Sequence, residues 1–342
     1  MEKTNKVMRI ILSVVTFVAI ALAIIGVLAL PLQAKIEAGK VTASANIYDF
    51  IDGIIQMAKA PGPYSGSQIA LLLLTILATV FTLVFGIIAI VKGIILLVKT
   101  IKGMSGKGEV SALLKSLSGF GVIIIVYIGL LLGVIYDRTS EVGGMTLGSG
   151  SEMMLSSGII ALAVAGAYHI ANKDEVKLVN KLLGLGAATL MVVAIIVGLA
   201  ATVSYNDGNS TTGLFIVIPA LIGYTASGST PDTAVVFRLI LALFGMVIIL
   251  VSLGFGKSVI TNVFRAEKKD ADYEKSSIVK SALFFGFSVL GFVLIAIGLS
   301  APGFGYSMGA GAIVSMVFGA GALALSIVNK ALFKKPEAPK AE

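Results

Sequence analysis

Met145-Thr146-Leu147-Gly148-Ser149-Gly150 opens an apolar helix that carries Gly158, then Ala161-Leu162-Ala163, and closes at Lys173. Near the C-terminus, Tyr306-Ser307-Met308-Gly309-Ala310-Gly311 opens another, which carries Gly319, then Ala322-Leu323-Ala324, and closes at Lys334. Every one of these pairs keeps the same separation in sequence, the one that carries Met145 to Tyr306. A match that holds a single offset along a whole helix is the mark of an internal repeat, and it sets the architecture before any single element is read.

The match extends outward from this pair. Lys115-Ser116, Phe120, Gly121, Tyr127 and Gly133 correspond to Lys280-Ser281, Phe285, Gly286, Phe292 and Gly298 at one slightly longer separation, and Lys92 corresponds to Lys257 at that same separation. Lys6, Ala23, Ile24, Ile25, Leu28 and Ala29 correspond to Lys177, Ala194, Ile195, Ile196, Leu199 and Ala200 at a third, longer still. The offset changes only between helices, in loops, where insertions are tolerated.

Hydrophobic residues make up 57% of the chain and charged ones 13%, and the mean hydropathy is +1.01. A soluble domain averages about 25% charged residues. Several apolar runs exceed the ~18 residues that read as membrane helices. The alternating segments of about ten residues that mark a β-barrel do not occur. The reading is an all-α, polytopic helical membrane protein. Its net charge of +8 belongs to loops at the membrane surface and is no signal for nucleic acid. The chain has no cysteine and no Trp, and its single histidine, His169, cannot by itself supply a multi-histidine metal site.

Taken in order, the pattern predicts helix 1 over about 8–30, helix 2 over 69–91, helix 3 over 116–136 and helix 4 over 153–171. It predicts helix 5 over 182–203, helix 6 over 233–256, helix 7 over 281–300 and helix 8 over 310–331. Lys3, Lys6 and Arg9 before helix 1 resemble a signal-peptide start, but the apolar run is longer than the usual 7–15 residues, so the helix is read as retained. Residues 31–68 read as a polar loop holding one amphipathic helix, 46–58. Ile47, Phe50, Ile51, Ile54 and Ile55 recur at helical spacing there, with Asp49, Asp52 and Gln56 opposite. The segment 213–224, with Leu214 and Val217, is broken by Pro219 and too short to cross; it is expected to be re-entrant or interfacial. A short polar tail with Lys334, Lys335 and Lys340 follows helix 8.

With both termini inside, 21 Lys and Arg fall on the inner side and 5 on the outer side. This matches the positive-inside rule at every basic connector and puts both termini in the cytoplasm, in the plasma membrane. Two units follow, 1–172 and 173–342, each of four helices. An even helix count gives both the same orientation, so the repeat is parallel. In helix count and loop lengths each unit resembles the claudin-type four-helix proteins, a likeness of layout only, since the Trp and Cys of that family's first outer loop are missing.

Small residues recur four apart on several helices: Gly129 and Gly133; Ser157, Ala161 and Ala165, beside Gly158; Gly311, Ser315 and Gly319. In lipid no water drives helices together, so small faces allow the close backbone approach that supplies packing energy. Such a face serves packing within the chain or docking of a partner. Charges at mid-membrane depth would flag an ion or substrate path, and the apolar centres of all eight helices contain none. Arg238 is the deepest outer charge, one turn into helix 6, with Asp232 near enough in sequence to pair with it. His169 is expected at the interface. Asp49 and Asp52, three apart on one helix face, could bind a cation, but two carboxylates alone make a weak site, and a solvated face is the expected role. Gly256-Lys257-Ser258 lacks the glycine that a phosphate loop needs at 251, where Val251 stands. Asn209-Ser210-Thr211 forms a glycosylation sequon on the outer side.

No catalytic, cofactor-binding or metal-binding set remains. The expectation is a non-catalytic membrane scaffold or assembly subunit. Its small-residue faces and outer segments would contact lipid, a membrane protein partner or a second copy. The competing reading is a transporter or channel for an uncharged or lipid-like solute between the units. A polar path at that junction would favour transport and a dry one the scaffold.

Overall fold

The computed structural model describes residues 2–28, 32–36, 41–59, 62, 66–104, 110–134, 144–171, 177–205, 211–225, 232–264, 271–300 and 305–332. Among them, eight helices are long and apolar enough to cross a membrane. These are α1 (Glu2–Leu28), α3 (Gly66–Met104), α4 (Val110–Val134), α5 (Ser149–Ala171), α6 (Leu178–Ala200), α8 (Thr233–Val263), α9 (Ala271–Leu299) and α10 (Ala310–Leu332). Two shorter helices lie in the connectors, α2 (Ile47–Lys59) and α7 (Val217–Thr225), the latter entered through a 3₁₀ turn at Leu214–Ile216. The chain is an integral membrane protein.

Several helices run further than their apolar patterns predict; α1 and α4 start early, at Glu2 and Val110, and α3, α8 and α9 extend more into the basic connectors. α3 has 39 residues, so it is about 58 Å long against a hydrocarbon core of about 30 Å. Beyond Lys92 it continues through Ile94, Ile95, Leu96, Leu97, Val98 and Ile101. Lys99 and Lys102 are good helix formers that do not interrupt it. α8 likewise runs past Lys257, and α9 starts at Ala271, well before the predicted Ser281. Much of the basic connectors is therefore helix.

Among the described residues, the end of the bundle away from these connectors carries six short strands, where the sequence reading has loops and, at Val203, the end of helix 5. β1 (Leu32–Ile36) pairs antiparallel with β2 (Val41–Ala45) and with β3 (Gly144–Leu147), giving the order β2-β1-β3. β4 (Val203–Tyr205) pairs with β5 (Thr211–Thr212) and β6 (Tyr306–Met308), giving β5-β4-β6. Met145-Thr146-Leu147 and Tyr306-Ser307-Met308 are thus strands, and the helices they precede begin at Ser149 and Ala310. Backbone groups close to an apolar layer need internal partners. Each sheet supplies them by tying the connector after one helix to the connector before another.

α2 begins with a capping box. The Asn46 side chain accepts from the backbone N–H of Tyr48 at 2.8 Å and of Asp49 at 3.1 Å, while the Asp49 carboxylate accepts from the Asn46 N–H at 2.8 Å. Asp49 therefore closes a helix end.

Candidate functional site

The centre of the bundle is α4. Over an 18-residue stretch of its span Leu113–Val134, 89% of the residues are buried, against 33–39% over the same length of each of the other seven spans. Its sequence explains the position: from Val122 to Val134 it is Val, Ile, Leu and Gly with one Tyr, and a helix apolar all round belongs inside. α3 and α5 cover it from its own half of the chain. α6, α8 and the Leu214–Ile216 turn cover it from the other.

Residues 213–217, the start of the segment expected from sequence to be re-entrant or interfacial, are part of this core, and the rest of the segment is mostly half-buried. Leu214, Phe215, Ile216 and Val217 are buried. The 3₁₀ turn packs on α4 and α6, and α7 continues between α3 and α8. The Phe215 ring lies 5.1 Å from that of Phe81 on α3, and it borders Gly133 on α4. The physical reason is the run Gly213-Leu214-Phe215-Ile216-Val217 itself, which has no polar position to turn toward water.

Several hydroxyls in and around this centre are hydrogen-bonded, whereas the buried Thr212 hydroxyl has no hydrogen-bond partner among the described residues. The Tyr127 hydroxyl donates to Thr82 Oγ1 at 3.0 Å, with the Phe85 ring stacked 5.9 Å from the tyrosine. Ser288 donates to Ser252 at 3.4 Å, and Ser281 and Ser326 share a bond of 3.3 Å. Thr79 donates to the Thr75 carbonyl one turn back at 2.8 Å.

The small residues singled out from sequence are contact points between helices of the chain. A side chain at Gly129 would fall 2.8 Å from Leu199 on α6. The space beside Gly158 is taken by Ile124 and the Gly121 carbonyl of α4. Ser157 donates to the Ala19 carbonyl of α1 at 2.6 Å. Ala161 and Ala165 are fully buried. Gly311 lies against the carbonyls of Val197 and Ala201 on α6, Ser315 against Gly198, and Gly319 against Phe284. These faces are occupied by packing within the chain.

The first outer segment divides. Phe50 is buried on the body of the protein and Ile54 is half-buried, whereas Ile51 and Ile55 are exposed, 38% and 43%. Ile47 starts the helix. Arg238 is exposed on the second turn of α8. Asp232 caps the same helix by accepting from the Ala234 N–H at 2.9 Å, which gives its carboxylate a role apart from Arg238. Lys107, Arg138, Arg265, Lys268, Lys269, Asn209 and Ser210 of the sequon, and the tail from 333 onward lie outside the described residues.

At the opposite, basic end lies a set of polar residues that sequence reasoning missed. Asn180 on α6 donates to the Asn329 side chain of α10 at 2.8 Å and to its carbonyl at 3.2 Å. Lys181 and Asn262 are buried in their helices as well. His169, expected at the interface, is buried too, with its ring edge-on to Phe264 at 5.9 Å. Only the placement of asparagines at helix ends, beside a basic connector, could have signalled this layer. Within it the Asn180–Asn329 pair joins α6 to α10 by hydrogen bonds, and the His169 Nε2 atom is buried with no hydrogen-bond partner among the described residues. Among the described residues, no group of three or more His, Cys, Asp and Glu is placed to hold a metal ion.

No protein-family model, curated protein or solved structure matches the chain.

Proposed function

We propose that this chain is a non-catalytic membrane scaffold or assembly subunit, built as two tandem four-helix units of one orientation, residues 1–172 and 173–342. Its termini and basic connectors face the cytoplasm, and the plasma membrane is its site. The charge split of 21 against 5 supports that orientation.

Two features support the tandem reading. The strand orders β2-β1-β3 and β5-β4-β6 run in parallel along the chain. The pairs α1–α5 and α6–α10 also meet at corresponding residues, Gly26 with the Gly150 carbonyl and Gly311 with the Val197 carbonyl.

The observation that carries the functional reading is α4. A solute crossing between the units would pass where this apolar helix stands, the most buried of the eight spans. Coupled transport commonly uses an ionisable group or an unwound segment at mid-membrane depth. Here the mid-depth polar groups are hydroxyls bonded to one another or to helix carbonyls. Such bonds are worth about 0.6 kcal/mol each, so packing explains them without a substrate. With the small-residue faces engaged inside the chain, the surfaces left for assembly are the exposed side of α2 and the apolar stripes that face lipid.

The test is reconstitution into liposomes, with solute flux measured beside crosslinked assembly size. The expectation is assemblies without saturable flux, reduced in size by Ile51→Asp with Ile55→Asp. Saturable uptake by a monomer, unchanged by that double substitution, would reverse the reading in favour of a transporter of an uncharged or lipid-like solute.

A further inference from the structure

The two halves of the chain meet at one interface, and the matching faces on the far sides of the molecule are uncovered. α6, α7 and the 3₁₀ turn of the second half lie on α3 and α4 of the first. In the register that aligns Lys115 with Lys280, Ile125 and Ile128 of α4 correspond to Leu290 and Val293 of α9. The first pair is 1% and 0% exposed, the second 47% and 40%. Leu283, Gly286, Leu290, Val293 and Ile297 form one exposed stripe along α9, whose main helix contacts are with α8 and α10.

The complementary face is open at the other edge. Ile195 of α6, beside Gly129 of α4, is 1% exposed, whereas Ile24 of α1, its counterpart in the register that aligns Lys6 with Lys177, is 36% exposed. α2 and α7 also correspond. At one constant separation, Phe50, Ile51, Ile54 and Ile55 fall on Val217, Ile218, Leu221 and Ile222. Ile218 and Ile222 are half-buried where α7 lies between α3 and α8, and Ile51 and Ile55 are exposed.

We infer that a second copy of this chain covers the α9 stripe with its α1–α2 edge, repeating between molecules the contact that joins the two halves within one. This inference rests on the tandem, scaffold reading above and names the partner and the faces. Parallel repeats make it possible: the operation that relates two units of one orientation also relates two copies inserted the same way in one membrane. An inverted repeat would not permit it. The two faces differ, so the contact is heterologous. Each copy bound leaves one of each face free, and assembly continues to a closed ring or an open row.

The native chain has no cysteine, so crosslinks report only on introduced sites. Gly129 and Ile195 adjoin inside the molecule, and Leu294 and Ile24 are their counterparts. Two full-length copies with different tags, one Ile24→Cys and one Leu294→Cys, are co-expressed and oxidised in native membranes. The expected product is a mixed dimer, and the chain carrying both cysteines gives a ladder beyond dimers. Phe237→Cys, exposed on α8, should not crosslink to Ile24→Cys above the background of random encounter. Val293→Trp should reduce the ladder while the purified protein remains monodisperse. Self-crosslinked dimers of each copy with no mixed product would make the contact symmetric and overturn the inference. Equal crosslinking to Phe237→Cys, or no crosslink in any combination, would leave lipid as the occupant of the face. Oligomers in native-mass measurements without the Ile24–Leu294 product would sink the face assignment alone. A monomer with saturable flux would sink the scaffold reading as well.

Discussion

The carbonyl oxygen of Gly133, at the end of α4, stands where a side chain at Gly213 would have to go. Gly213 enters the 3₁₀ turn with φ −78° and ψ 177°, an ordinary extended conformation, so its lack of a side chain serves the close approach and not the backbone angle. The two halves of the chain are in contact, backbone to backbone, at this point. The atoms in the way are main-chain atoms, which cannot rotate aside.

Gly213→Ala should therefore force the turn away from α4. Overpacking of this kind costs about 1–3 kcal/mol. Thermal unfolding of the detergent-purified protein should shift down accordingly. Gly254→Ala is the matched control, because a methyl there meets nothing within 4 Å and lies inside α8. Ala is favoured over Gly in a helix by up to about 1 kcal/mol, so the control should be neutral or stabilised. Equal behaviour of the two variants would mean that the halves do not meet at this contact.

The hydrogen bond from Tyr127 to Thr82 can be isolated with a double-mutant cycle. Tyr127→Phe keeps the ring stacked on Phe85 and removes the donor; Thr82→Val keeps the volume and removes the acceptor. The coupling measured from unfolding should be about 0.6 kcal/mol, with about 1.7 kcal/mol as a ceiling for such bonds between membrane helices. Strict additivity of the two substitutions would show that the hydroxyls do not interact.

Asn46→Ala removes the acceptor for the first N–H groups of α2, which should cost about 1 kcal/mol of local stability. Amide hydrogen exchange is the measurement of choice, since it reads one helix at a time. Exchange over 47–59 should accelerate several-fold and the spans should be unaffected. Asp49→Ala should give a smaller change in the same direction, because it removes only the reciprocal bond. Unchanged exchange in both variants would remove the capping box.

The spans were legible because an apolar run long enough to cross a membrane has few other uses, and α5, α6 and α10 begin and end within a few positions of where their patterns place them. The strands were not legible. β4 has three residues and β5 two, too short for alternation to register, and β6 pairs with β4 from the far end of the second half. The extension of α3 past Lys92 was hidden for a different reason: lysine marks the edge of the apolar layer, not the end of a helix. In the site, Gly129, Gly133 and Gly311 could be recognised as close-packing positions, yet which helix each meets is a property of the tertiary arrangement. The burial of Leu214 and Val217 depended on a partner, α4, that hydropathy treats like any other span. Asn180 and Asn329 lie at opposite ends of the second half, so their position at helix ends gives no sign that they pair.

Orientation is open to direct labelling. The sheets lie at one end of the bundle, and the basic connectors, including the C-terminal ends of α3 and α8, lie at the other. Lys and Arg near helix ends hold a loop in the cytoplasm. Lys107→Cys, Lys269→Cys and Asn209→Cys each place one thiol in a connector of an otherwise cysteine-free chain. In intact cells, an impermeant thiol reagent should modify only Asn209→Cys, and all three should react once the membrane is permeabilised. Labelling of Lys269→Cys in intact cells would mean that Leu214–Thr225 and its neighbours cross the membrane an odd number of times. α8, α9 and α10 would then be inverted relative to α3, α4 and α5 while α6 kept the direction of α1, and the sheet end would no longer be a single outer face.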